Sequence, residues 1–274
     1  MTSFIQIHEA PLRLGIFAIV LLAMMALEAL RPKRDRVMTR RRRWTSNLAL
    51  VFIDGLVVRL LFPVVAAGVA MIAARKGWGL FNWLDWPIWA EILLSIIVLD
   101  MLIYWQHVLS HRIPIFWAFH KVHHADRDID VTTGSRFHPA EIVLSMVYKI
   151  ICVLALGPAA MAVILFEVLL NACAMFNHAN LALPKRVDAR LRKFIVTPDM
   201  HRVHHSVLPE ETHQNFGFCL SIWDNLFRSY TAQPRAGHAD MTIGLPEYQT
   251  PGPNSLTWSL ALPFRRLLKL EDRI

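Results

Sequence analysis

The sequence is short of charge. Only 18% of its 274 residues are Asp, Glu, Lys or Arg, where a soluble domain carries about 25%. Apolar side chains make up 55% and gather in long unbroken blocks, which argues against a single solvated globule. Cysteine is nearly missing. Cys152, Cys173 and Cys219 form no CxxC pair, and two of them sit in apolar runs, so they read as inert buried thiols. Several catalytic signatures are also absent. Without HExxH there is no zincin-type glutamate base, and without GxGxxG no nicotinamide fingerprint. No pair of ExxH motifs supplies the ligands of a soluble carboxylate di-iron bundle.

What is present begins with four apolar stretches. Leu14 to Leu30 is long enough, at about 1.5 Å per residue, to approach a hydrocarbon core of ~30 Å. It has neither a basic n-region nor an A-x-A-like cleavage site, so it reads as a retained membrane helix. The next segment, RPKRDRVMTRRRRW, holds Arg31, Lys33, Arg34, Arg36 and Arg40 to Arg43. Its juxtamembrane position favours a cytoplasmic loop over nucleic-acid binding, which puts the N-terminus outside. The net charge of +8 fits the same reading. Leu48 to Ala74 then returns the chain outward, and Trp78, Trp83, Trp86 and Trp89 form an interfacial belt. Trp89 to Trp105 crosses back and delivers His107 to the cytoplasmic side. The fourth stretch, Ile142 to Phe176, is too long for one span and is broken at Gly157-Pro158, so it reads as a hairpin or a kinked helix.

The chemistry is carried by histidine. Three boxes stand out among 13 histidines: His107-x-x-x-His111, His120-x-x-His123-His124 and His201-x-x-His204-His205. Residues three and four apart share a helix face, so each box should present its imidazoles on one stripe. Convergent stripes of this kind build metal sites inside helical bundles, and imidazole suits iron or zinc. A chance HxxHH has a probability of roughly 10⁻⁴ per position, which makes two copies a specific signal. His8 and His238 stand outside any such spacing, and His213 has none either.

The series HxxxH, HxxHH, HxxHH in an apolar chain resembles the fatty acid hydroxylase / sterol desaturase superfamily of membrane di-iron enzymes. Further support comes from Arg136-Phe-His138-Pro139-Ala-Glu141, Phe176-Asn177-His178-Ala-Asn180, Asn215-Phe-Gly217 and Trp223-Asp224-Asn-Leu-Phe227. The resemblance covers about Ile92 to Tyr230. It implies residues 1–91 as an N-terminal transmembrane region with its basic loop, 92–230 as the catalytic domain and 231–274 as a C-terminal tail. It also implies two iron ions, O₂ as co-substrate, a lipid substrate that is hydroxylated or desaturated, and an electron-donor protein. No haem module of about a hundred residues follows, so the donor is expected to be separate. The eight boxed histidines match the family's metal ligands, and His178 matches an additional one. His138 could line the substrate pocket, cap a helix or bind metal.

Neutral imidazoles cannot offset the charge of two metal ions, so nearby carboxylates should do so and fix imidazole tautomers. Asp100, Asp126, Asp128, Glu141 and Asp199 are the candidates. Asp100 lies on one stripe with Tyr104, His107 and His111, and an aspartate deep in a membrane helix is a functional candidate by default. Its alternative is an ion pair with Arg59. Thr197-Pro198-Asp199 reads as a helix start, and Phe216 to Phe227 as a structural helix. The expected architecture is therefore an all-α integral membrane bundle with a cytoplasmic-face, histidine-rich helical di-metal domain. A zinc-dependent membrane hydrolase or a non-catalytic lipid-binding protein could use the same histidines.

Overall fold

The computed structural model describes residues 9–265. His8 and the end of the C-terminal tail lie outside the described residues. Within them the chain is helical, with isolated bridges and no strand. Five helical segments are long and apolar enough to cross a membrane. Helix α1 spans Glu9–Leu30, α2 Arg40–Leu61, α3 Ala66–Lys76, α4 Ile88–Arg112, α5 Pro114–His124, α6 Pro139–Leu156 and α7 Ala160–Asn177. Short helices follow, of which α8 is Lys185–Leu191 and α9 Pro198–His204. The second apolar stretch is not one helix. It breaks between α2 and α3 around Pro63, whose missing N–H cannot continue the ladder.

The fourth stretch is a hairpin. Helix α6 ends at Gly157, whose φ of 65° is readily open only to glycine, and α7 starts three residues later. The turn packs on the Trp-rich loop, where Asn82 donates to the carbonyls of Trp78 and Gly157. The open end of the hairpin lies at the opposite pole. There Glu141, at the start of α6, meets His120, and His178, just past α7, meets His123. His107 and His111, at the end of α4, lie at the same pole. All three boxes and His178 therefore gather at one end of the bundle.

Polar ties cross the bundle where lipid would not satisfy them. Glu167 of α7 binds Lys149 of α6 at 2.6 Å and Arg13 of α1 at 2.8 Å. Glu28, buried near the end of α1, accepts backbone N–H bonds from Val131 and Asn180 at 2.7 Å each. The basic run is built into the fold. Arg43 is fully buried against Asp126 and Asp130, Lys33 pairs with Asp199, and Arg34 donates to the carbonyls of His238 and Met241. These cations knit the first loop into the histidine-rich end.

Candidate metal centre

The nine predicted imidazoles form two groups. His107, His111, His120, His124 and His204 make the first, and His123, His178, His201 and His205 the second. In each group, one donor atom per residue lies within 4.8 Å of the others, and all nine residues are buried. The single-stripe expectation is thus corrected in one respect, because each HxxHH box divides its ligands. His120 and His124 serve the first group and His123 the second, whereas His201 and His205 serve the second and His204 the first. Helical pitch explains the split. At about 100° per residue, i+4 lies some 40° past position i and i+3 some 60° short of it, so the two flank the stripe.

The imidazoles are held from behind. The Nδ1–H of His107 donates to the Phe216 carbonyl at 2.8 Å, that of His204 to Gln214 at 2.7 Å, and that of His178 to Ala174 at 2.7 Å. His123 donates to the Arg136 carbonyl at 3.2 Å, and His120 to the Glu141 carboxylate at 2.6 Å. Each bond fixes the tautomer that leaves Nε2 with a bare lone pair. Gly134 permits the His178 arrangement, since a Cβ there would stand 2.5 Å from the Ala174 carbonyl and 3.2 Å from Nδ1.

Those lone pairs lack protein partners or face one another. The Nε2 atoms of His107, His111, His120 and His204, and both ring nitrogens of His124 and His205, are buried without a hydrogen bond. His178 Nε2 stands 3.1 Å from His123 Nε2 and 3.0 Å from His201 Nε2. The Nε2 atoms of His123 and His178, both bare because their Nδ1–H groups are committed, repel at that distance unless a cation lies between them. Ligands about 2.1 Å from one ion and at right angles to each other would be ~3 Å apart. Burial, with the neighbouring imidazoles, holds His123, His124, His201, His204 and His205 well below the ordinary histidine range, and His178 at about 4. Buried and converging, this donor set fits two transition-metal ions.

Of the five carboxylates singled out in the sequence, Glu141 is the one that hydrogen-bonds a boxed imidazole among the described residues. Asp126 binds Arg43, and Asp128 accepts from the backbone N–H groups of Val37 and Met38. Asp199 pairs with Lys33 and Arg202 while its helix is capped by Thr197, as expected. Asp100 does not meet Arg59, which is exposed. It accepts from the N–H groups of Cys219 and Leu220 and from the Trp223 indole. It therefore anchors the segment whose Phe218 ring lies 5.2 Å from His107. That segment is mostly loop. Only Ile222–Leu226 is helical, between the left-handed residues Asn215 and Arg228.

His138 resolves into a cap. Its Nδ1 accepts from the Ala140 N–H and its Nε2 donates to the Leu260 carbonyl, so no lone pair remains for a metal. Two contributors escaped the sequence reading. Asp224 accepts from the Phe216 and Gly217 N–H groups and so steadies the carbonyl that orients His107. His213 places Nδ1 3.3 Å from that of His111, and its lack of box spacing hid it. A cavity of about 250 Å³ opens beside the first group, reaching His107, His120 and Glu141 from between the membrane helices.

Comparison with known proteins settles the family. A family model for fatty acid hydroxylase matches residues 92–229, half of the chain. The chain belongs to the fatty acid hydroxylase family. Ornithine lipid hydroxylase OlsE of Rhizobium tropici is 28% identical over 186 residues, covering 66% of this chain and 54% of that protein. Alkylglycerol monooxygenase is 28% identical over 163 residues in Danio rerio and 27% over 166 in Homo sapiens, covering 57% and 58% of this chain. The chain spans about half of the first relative and 34% of each of the other two. No solved structure matches. Together with the five apolar helices, the comparisons make this an integral membrane protein of a lipid-modifying family.

Proposed function

We propose that the protein is a membrane-bound di-iron oxidoreductase that uses O₂ to hydroxylate or desaturate a lipid, with electrons delivered by a separate donor protein. The observation that carries this reading is the division of nine buried imidazoles into two converging groups beside a membrane-embedded cavity. His107, His111, His120, His124 and His204 would hold one ion, and His123, His178, His201 and His205 the other. When bound, iron supplies the O₂-dependent redox chemistry that oxidation of an unactivated C–H bond requires.

The chain's own part is positioning. The cavity holds a stretch of lipid against His107 and His120, and its apolar walls exclude water from that face. Glu141 fixes the His120 ring and offsets positive charge. Asp100 and Asp199 act at one remove, Asp100 by holding the loop against His107 and Asp199 by bracing the third box to the first loop. The basic residues from Arg31 to Arg43 lie at the histidine pole, which supports a cytoplasmic site and an outer N-terminus.

Metal analysis of anaerobically purified protein, paired with lipidomics of membranes with and without it, tests the proposal. About two irons per chain and a lipid oxidised only in its presence are expected. Stoichiometric zinc, no activity after iron loading and an unchanged lipid profile would overturn it in favour of a hydrolase or a non-catalytic lipid binder.

A further inference from the structure

One face of α2 carries Arg43, Asn47, Leu50 and Asp54, spaced four, three and four residues apart, and all four are buried. The polar members nearest the histidine pole are fully engaged. Arg43 binds Asp126 and Asp130, while Asn47 donates to Thr132 and accepts from Arg136. Asp54 lies about 16 Å beyond Arg43 along the helix. It is 7% exposed, lines the cavity that reaches Glu141 and His120, and takes part in no hydrogen bond or ion pair among the described residues. Lys149 is the cation on that cavity's wall, and it is already committed to Glu167 at 2.6 Å. A partnerless carboxyl group within the membrane is costly, and one that lines a cavity is placed to meet a hydrogen-bonding group on whatever fills it.

We propose that Asp54 receives a hydrogen-bond donor on the substrate, a hydroxyl or a protonated amine, and that the cavity disfavours lipids whose buried end is a carboxylate or phosphate. The inference rests on the reading of this cavity as the lipid site. It adds a specificity-determining residue that lies outside the 92–229 family match.

The neighbouring cavity supplies the rest of the amphiphile's shape. A second hollow of about 220 Å³, lined mainly by apolar groups such as Leu109, Leu144 and Ile151, shares Gln106, Ser145 and Glu141 with the first. Leu144 and Ile151 are exposed on the α6 surface, so the hollow opens toward lipid. The Ser145 hydroxyl donates to the Gln106 side chain at 3.4 Å between the two hollows. A chain can occupy the apolar side while the polar end of the same molecule crosses to Asp54. The stretch between them then passes Glu141 and the first imidazole group.

Thermal unfolding of the purified full chain in maltoside micelles, with hexadecanol, hexadecylamine, palmitate or hexadecane at equal micellar fraction, tests this. The alcohol, the amine or both should raise the midpoint by about 2–4 °C over hexadecane, with palmitate giving no gain. Asp54→Leu should remove the preference. Asp54→Asn, which retains an acceptor oxygen but no charge, should keep the alcohol's effect and lose the amine's, and so tells the two donors apart. Equal shifts for all four probes, a preference for palmitate, or a donor preference that survives in both variants would overturn the proposal. Metal content and lipid turnover are read separately. A protein that prefers donors but oxidises no lipid sinks the oxidoreductase reading while leaving the Asp54 site standing.

Discussion

Glu141 and His120 meet at 2.6 Å at the open end of the α6–α7 hairpin, where the membrane cavity reaches the first imidazole group. The carboxylate accepts from Nδ1–H, so Nε2 is left to face the other four rings. Glu141→Gln should still reach the membrane, but with metal affinity or turnover lowered roughly 10–100-fold. Metal titration with an activity assay checks this, and unchanged values in both would show that the bond is ornamental.

The two groups should load separately. His178→Ala removes one imidazole from the four-histidine group and leaves the five-histidine group whole. Bound metal should fall from about two to about one per chain by elemental analysis, with activity lost. His204→Ala should deplete the other group instead. Loss of all metal in both variants would mean that the groups are one cooperative unit.

His138 should behave as a cap. His138→Ala removes the acceptor for the Ala140 N–H, and about 1 kcal/mol of stability is expected to go with it. Metal content should not change. A loss of metal comparable to that of His178→Ala would instead make His138 a ligand.

Sidedness can be read by labelling single cysteines in a chain lacking the native three. Arg112 and Arg190 are exposed and follow elements of the histidine pole, whereas Asp85 is exposed in the loop at the other pole. Cysteines at Arg112 and Arg190 should react from the cytoplasm and one at Asp85 from outside. Asp126, a natural choice from sequence alone, is buried and would stay silent. Opposite labelling of positions 112 and 190 would break the shared site.

The clustering of the imidazoles was legible because helical spacing is local: three and four residues decide which rings stand together. The same arithmetic, carried one step further, gives the split of each box between two groups, which the stripe picture passed over. The partners of the acids were not legible. Asp126 finds Arg43 and Asp199 finds Lys33 across 83 and 166 residues, and nothing in a local pattern says which cation a carboxylate will meet. Asp54 was hidden for the opposite reason. Among the described residues it has no partner, and only the cavity gives it meaning.

Arg43 and Glu28 lie well before the span that the family model matches, yet both are buried among its residues. Arg43 sits on Asp126 and Asp130, and Glu28 on the backbone of Val131 and Asn180. A fragment cut at residue 92 would leave two aspartates and two backbone donors facing nothing. The unit of inheritance is therefore smaller than the unit of folding. The first helix contributes Phe17 to the wall of the cavity beside the imidazoles, and exchanging this N-terminal part between relatives should fail unless the acids it meets are exchanged as well.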